Sequence, residues 1–310
     1  ARVSRAIITD MTHSPLLLPM AEYLVGVAKV FSRVAAGNVH YYLGNVGVDA
    51  EKSYFPVVFL LKSTLPFLFL LVVTTGITLL HFRHRLVTST EPLRLFLVHS
   101  FRSRIVQYLS VFFVLFYTYI SITGNLTIGL RHLFPIFPFL YLLVALALTH
   151  LYRRHQDNPV TRKLLHILLG LIMLSVIAIP VISFPSYLSY FNASGGGHSM
   201  GYHYVTDSNY DWGQDLKYLK KFVETHNTCK MGSAPLGTDC TLSEWPSIDH
   251  IRVDYFGGSD PRYYLGDRFI PWWGSKRPIE PGWYAISTFF YQESLYKKLA
   301  PGEENYSWLK

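Results

Sequence analysis

Four long apolar blocks dominate the first two-thirds of the chain, at residues 65–80, 106–122, 133–151 and 164–184. A helix needs about 20 mostly apolar residues to cross the hydrocarbon core of a bilayer. The pattern therefore predicts four transmembrane helices, with Phe55–Leu61 leading into the first. Pro135 and Pro138 fall in the third block, and Pro180 and Pro185 in or beside the fourth. Membrane helices tolerate proline where neighbouring groups satisfy the freed carbonyls. After residue 186 the pattern changes. GYHYVT (201–206), DHIRVDYFGG (249–258) and GWYAISTFFYQ (282–292) alternate apolar and polar positions as strands do. Between the first two, Leu216, Leu219, Phe222 and Val223 recur at helical spacing, and SLYKKLA (294–300) predicts a terminal helix. Ser208 and Asp211 resemble a capping box, with Asp211 and Asp215 near the positive end of the helix. The fold class expected is a membrane α-helical part followed by a small extracytoplasmic α/β domain with a βαβ-like unit. The segments are an outer loop or jaw at 1–54, a transmembrane region at 55–185 and the α/β domain at 186–310.

Composition agrees with that division. Half of the residues are hydrophobic, 15% are charged, and the mean hydropathy is +0.22. The net charge of +8 is uneven: residues 1–189 hold 16 Lys/Arg against 6 Asp/Glu, and residues 190–310 hold 12 against 14. A positive excess confined to the membrane part sets orientation rather than recruiting a polyanion, so no nucleic-acid partner is expected. The segment after the first block carries Arg83, Arg85, Arg94, Arg102 and Arg104 against Glu91. The segment after the third carries Arg153, Arg154, Arg162 and Lys163. The positive-inside rule places both in the cytoplasm. Residues 1–54, the 123–132 loop and the 186–310 region then lie outside a plasma or inner membrane. The sequence opens at Ala1 without methionine or signal peptide, and a fragment lacking its true N-terminus is expected.

Candidate chemistry lies at the outer boundary. Lys62, Arg131 and His132 are cationic or titratable residues at the edges of the first and third spans, on one face of the membrane. Such positions suit an anionic lipid headgroup, and the planar fork of arginine matches phosphate. Interfacial anchoring explains Lys62 and His132 equally well. Asp207, Asp211 and Asp215 in DSNYDWGQD form a candidate acidic site for a cation or a general base, but helix capping explains two of them without chemistry. ASGGGHSMG has no phosphate-loop pattern, and no nucleophile-elbow or zincin motif occurs. Trp272 and Trp273 suit a sugar-stacking platform or an interfacial belt. Cys229 and Cys240, the only cysteines, are placed to close a short disulfide loop, and zinc binding is not expected.

Four segments in order carry a family resemblance: YFPVVFLLKSTLP (54–66), GLRHLFPIFPFLY (129–141), YLSYFNASGGG (187–197) and DSNYDWGQDLKYLKK (207–221). They resemble the C-terminal half of bacterial protein-O-mannosyltransferase-like and aminoarabinose-transferase-like membrane enzymes, glycosyltransferase family 39 of the C-type superfamily. VDYFGGSDPRYY and GWYAISTFF continue the likeness across nearly the whole chain. The resemblance implies transfer of a sugar from a polyprenyl-phosphate donor to a protein or glycolipid acceptor, with inversion. It implies phosphate binding by Arg131, with Lys62 and His132 behind it, and a cavity-rim place for Tyr54. The charge of the leaving phosphate would be balanced by cations or by a divalent metal, Mg or Mn. The family's catalytic acid lies in a first outer loop that has no equivalent in this sequence, so no catalytic residue is expected here and the chain alone is expected to be inactive. A non-catalytic lipid-binding subunit or a transporter fragment are the alternatives.

Overall fold

The structure, a computed structural model, describes residues 9–235, 238, 240–241, 244–273, 278–298 and 305–309. Among them are four helices long and apolar enough to cross a membrane: Leu65–Thr88, Ile105–Thr123, Leu130–His155 and Pro159–Ser183. Each covers one predicted block. The third opens as a tight 3-10 turn, Leu130–Ile136, and becomes α-helical at Phe137–His155. Prolines explain the change. Pro138 sits in the first turn, where its missing N–H has no intrahelical partner to lose, and Pro135 falls inside the 3-10 turn.

The third span is the packing centre and touches the other three. Within its apolar window 22% of residues are buried, against 6%, 6% and 0% for the first, second and fourth. Those three present bare apolar sides, as helices do in lipid or among further helices. A short helix, Tyr54–Lys62, precedes the first span and is separated from it by Ser63 and Thr64. Asn192 closes that break: its Nδ2 donates to the carbonyls of Leu60 and Ser63 at 2.6 and 2.8 Å. Asn192 is 2% exposed and heads a glycosylation-type Asn-Ala-Ser sequence, so burial removes it from any such role.

The 1–54 segment contains more order than a loop. A helix spans Leu18–Ala36, and β1 (His40–Tyr42) pairs antiparallel with β2 (Asn45–Gly47). Their two-residue turn, Leu43–Gly44, has both φ values positive, the mirror-image geometry that suits strand twist. Leu43 N–H donates to Tyr204 O, and Tyr42 bridges Val205, so the hairpin docks on the 201–206 segment.

Beyond residue 186 the expected α/β character is present in a smaller form. β3 (Ile251–Asp254) is the centre of a parallel three-stranded sheet between β4 (Phe269–Pro271) and β5 (Trp283–Ile286). Helix Leu216–Lys230 packs Val223 against Ile248, Ile251 and Val253. Its Asn227 side chain pairs with both backbone groups of Ile248, fixing the entry to β3. Three expectations need correction. GYHYVT is a 3-10 turn, Gly201–His203, rather than a first strand; its ring-rich residues pack locally instead of pairing along a sheet. β4 lies in a segment whose aromatic run hid its short apolar stretch. The last helix is Thr288–Tyr296, starting directly after β5 and ending before most of SLYKKLA, whose Leu299 and Ala300 lie outside the described residues. Cys229 and Cys240 form the disulfide.

Candidate functional site

The described residues contain two hydrophobic cores. The sheet has its own, around Val223, Ile251 and Val253. The other joins distant parts of the chain: Tyr42 from the hairpin, Tyr54, Phe55 and Val58 from the lead-in helix, Leu130, Leu133 and Ile136 from the third span, and Phe191 and Val205. DSNYDWGQD lies at the junction of the two and acts as a clasp.

Asn209 is its keystone. It is fully buried; its Oδ1 accepts from Leu130 N at 2.9 Å and its Nδ2 donates to the Tyr54 hydroxyl at 2.7 Å. One amide thereby links the lead-in helix to the start of the third span. Its backbone carbonyl accepts from Lys62 Nζ, which also donates to Leu188 O at 2.7 Å and stands 4.6 Å over the Phe191 ring. Ser208 Oγ donates to Ile128 O. That approach requires Gly129, whose φ of 134° is a glycine conformation and whose missing Cβ would meet the Ser208 hydroxyl.

The cations expected to bind phosphate therefore divide. Lys62 is corrected from ligand residue to structural tie, because its ammonium is turned inward and spends two N–H groups on carbonyls. Arg131 is exposed, makes no ion pair among the described residues, and lies over the Trp212 ring at 5.0 Å. Arginine stacked on indole keeps its outward N–H edges available while its flat face is held. His132 is half-buried in the same 3-10 turn, with its backbone N–H on Gly129 O. Tyr54 is corrected from rim to core: it is 1% exposed and packed edge-on against Phe55 and His40.

None of the carboxylates caps helix Leu216–Lys230 through its side chain. Helix Leu216–Lys230 begins at Asp215, whose side chain makes no capping bond, and Ser208 with Asp207 belongs to a separate 3-10 turn. Asp211 is a brace: Oδ1 accepts from Gly213 N at 2.9 Å and Oδ2 from Thr288 N at 3.3 Å, tying the clasp to the helix after β5. Asp207 is buried in the clasp with φ of 58°. Asp211, Asp215 and Asp254 line a cleft of about 370 Å³ at the C-terminal ends of β3 and β5, with Tyr218, Phe222 and Thr288. Partial burial, and then the charge of Asp211, raises the Asp215 carboxyl above its ordinary value. Burial pushes Asp254 up to about 6, against the opposing hydrogen bond from Tyr306.

Among the described residues no three His, Cys, Asp or Glu side chains converge closely enough to hold a metal ion. No chemistry is routed through a Mg or Mn ion here. Trp272 is 4% exposed and packs edge-on to Tyr284, which makes it core rather than a stacking platform, while Trp273 is 46% exposed. Asn209 and Asn192 were legible only as polar residues inside motifs; their roles come from partners roughly 80 to 155 positions away. No family model, curated protein or solved structure matches the chain.

Proposed function

We propose that the chain forms the lipid-donor side of a membrane glycosyltransferase that moves a sugar from a polyprenyl-phosphate carrier to a protein or glycolipid acceptor. The observation that carries this reading is Arg131, an exposed guanidinium without an ion pair among the described residues, held on Trp212 where the third span begins. A phosphate emerging from the bilayer beside that span meets a pre-oriented bidentate donor. Stacking limits rotamer loss on binding, which favours affinity. The clasp end then faces the extracytoplasmic side of a plasma or inner membrane, since the arginine-rich segments gather at the opposite helix ends.

An inverting transfer also needs a carboxylate to activate the acceptor hydroxyl. Asp211 is tied to two backbone amides and Asp207 is buried in the clasp, so neither is assigned that role. The test is binding of a polyprenyl-phosphate sugar to the purified protein. Arg131→Ala is expected to weaken it by about tenfold or more, a loss typical of one charge-assisted bidentate contact, and Arg131→Lys to recover part of it. Equal affinity in wild type and Arg131→Ala would overturn the assignment.

A further inference from the structure

We infer that the groove between the end of the third span and the start of the fourth seats the phosphate of an anionic phospholipid headgroup. It has a volume of about 530 Å³ and is lined by Tyr152, Pro159, Arg162, Lys163 and His166. Only Gln156–Asn158 separate the helices Phe137–His155 and Pro159–Ser183, each part of a segment long enough to cross a bilayer. The groove therefore sits where helices leave the hydrocarbon, at headgroup depth. It lies at the opposite end of the third span from Arg131, roughly 35 Å away at 1.5 Å per helical residue, and does not depend on the transferase reading.

The charge arrangement calls for an anion. Arg162, Lys163 and His166 occupy the first two turns of the fourth span, where the helix dipole is positive, and no acid stands in its first turn. Cations there are disfavoured by dipole and by one another. No described acid neutralises them. Asp157, the acid of the loop, makes no ion pair with them among the described residues, and Arg162 reaches only Gln156 O, at a long 3.5 Å. On the facing helix Arg154 adds to the charge, its Nη1 beside His81 Nδ1 at 3.1 Å.

The geometry selects side-chain recognition. Asn158 Oδ1 already accepts from the amides of Val160 and Thr161, so the helix-start N–H groups are taken. Arg162 offers a fork and Lys163 a point charge to a phosphate, while the Tyr152 ring, 5.6 Å from His166, walls one side. Leu164, Ile167, Leu168 and Leu171 continue along the same helix with 60%, 51%, 38% and 61% exposure, an apolar track for acyl chains. Basic clefts between membrane helices favour acidic lipids on these grounds. Charge that served only to orient the helices would not need to surround a cavity.

The test is native mass spectrometry of the purified protein in detergent with phosphatidylglycerol and phosphatidylcholine of matched acyl chains. The wild type is expected to retain phosphatidylglycerol in about tenfold preference, and Arg162→Gln/Lys163→Gln to lose that preference. Both residues are exposed, so the variant should keep its melting temperature in phosphatidylcholine. Arg94→Gln/Arg102→Gln removes equal charge from the helix between the first two spans and is expected to leave the preference intact. No wild-type preference, or equal loss in both double variants, would overturn the inference. Displacement of phosphatidylglycerol by millimolar inorganic phosphate alone would overturn the lipid in favour of a free phosphate.

Discussion

The two ends of the helical bundle divide their cations differently. At the clasp end Lys62 is spent on two carbonyls and a ring, and Arg131 is propped on Trp212. At the other end Arg162 and Lys163 face a groove without ion pairs among the described residues. A cation already satisfied by backbone holds the structure together. One left on a cavity or rim is where an anion is expected.

The largest effect expected on breaking that contrast is at Asn209. Asn209→Ala leaves Leu130 N and the Tyr54 hydroxyl buried without partners, and about 3 kcal/mol of stability should be lost in detergent unfolding. A loss under about 1 kcal/mol would mean that the clasp end is held by apolar packing alone. Next comes the sheet, which serves as a control region. Cys229→Ser with Cys240→Ser opens a loop of 11 residues' separation and should cost about 2–3 kcal/mol, read as a lower melting temperature of the sheet region without loss of donor binding.

A smaller, pH-dependent effect comes from Asp254. Its carboxyl titrates near 6 in the fold against an ordinary 3.8, so the folded state holds that proton more tightly. The stabilisation is complete below about pH 4 and is lost as pH rises through about 6. Asp254→Asn should flatten the fall in melting temperature across that window, and an unchanged profile would show that Asp254 is not the titrating group. Smallest in stability is Arg131→Ala, expected to shift unfolding by less than about 0.5 kcal/mol while reducing donor binding. A large destabilisation would move Arg131 to the structural side of the comparison.

The four spans were legible because a bilayer imposes a length and an apolar content that few other settings require. β3 and β5 were legible from alternation, and β4 was not, because three residues followed by two tryptophans carry no period. The clasp was the least legible. DSNYDWGQD draws attention by its acids, which sequence logic assigns to a helix start. The structure instead uses the amide between them, and Asp211 as a brace to Thr288, 77 positions away. Such contacts leave no local signature. The convergence of Lys62 and Arg131 at one end followed from loop charge, but their different fates depended on whether a carbonyl or an aromatic face lay nearby.

The clasp is the central claim, and a double-mutant cycle on Tyr54→Phe and Asn209→Ala tests it most directly. The two side chains are 155 positions apart in sequence and joined by one hydrogen bond of 2.7 Å. If that bond ties DSNYDWGQD to the lead-in helix, the cycle should return a coupling of about 1 kcal/mol between the two sites. Additivity within about 0.3 kcal/mol would contradict it.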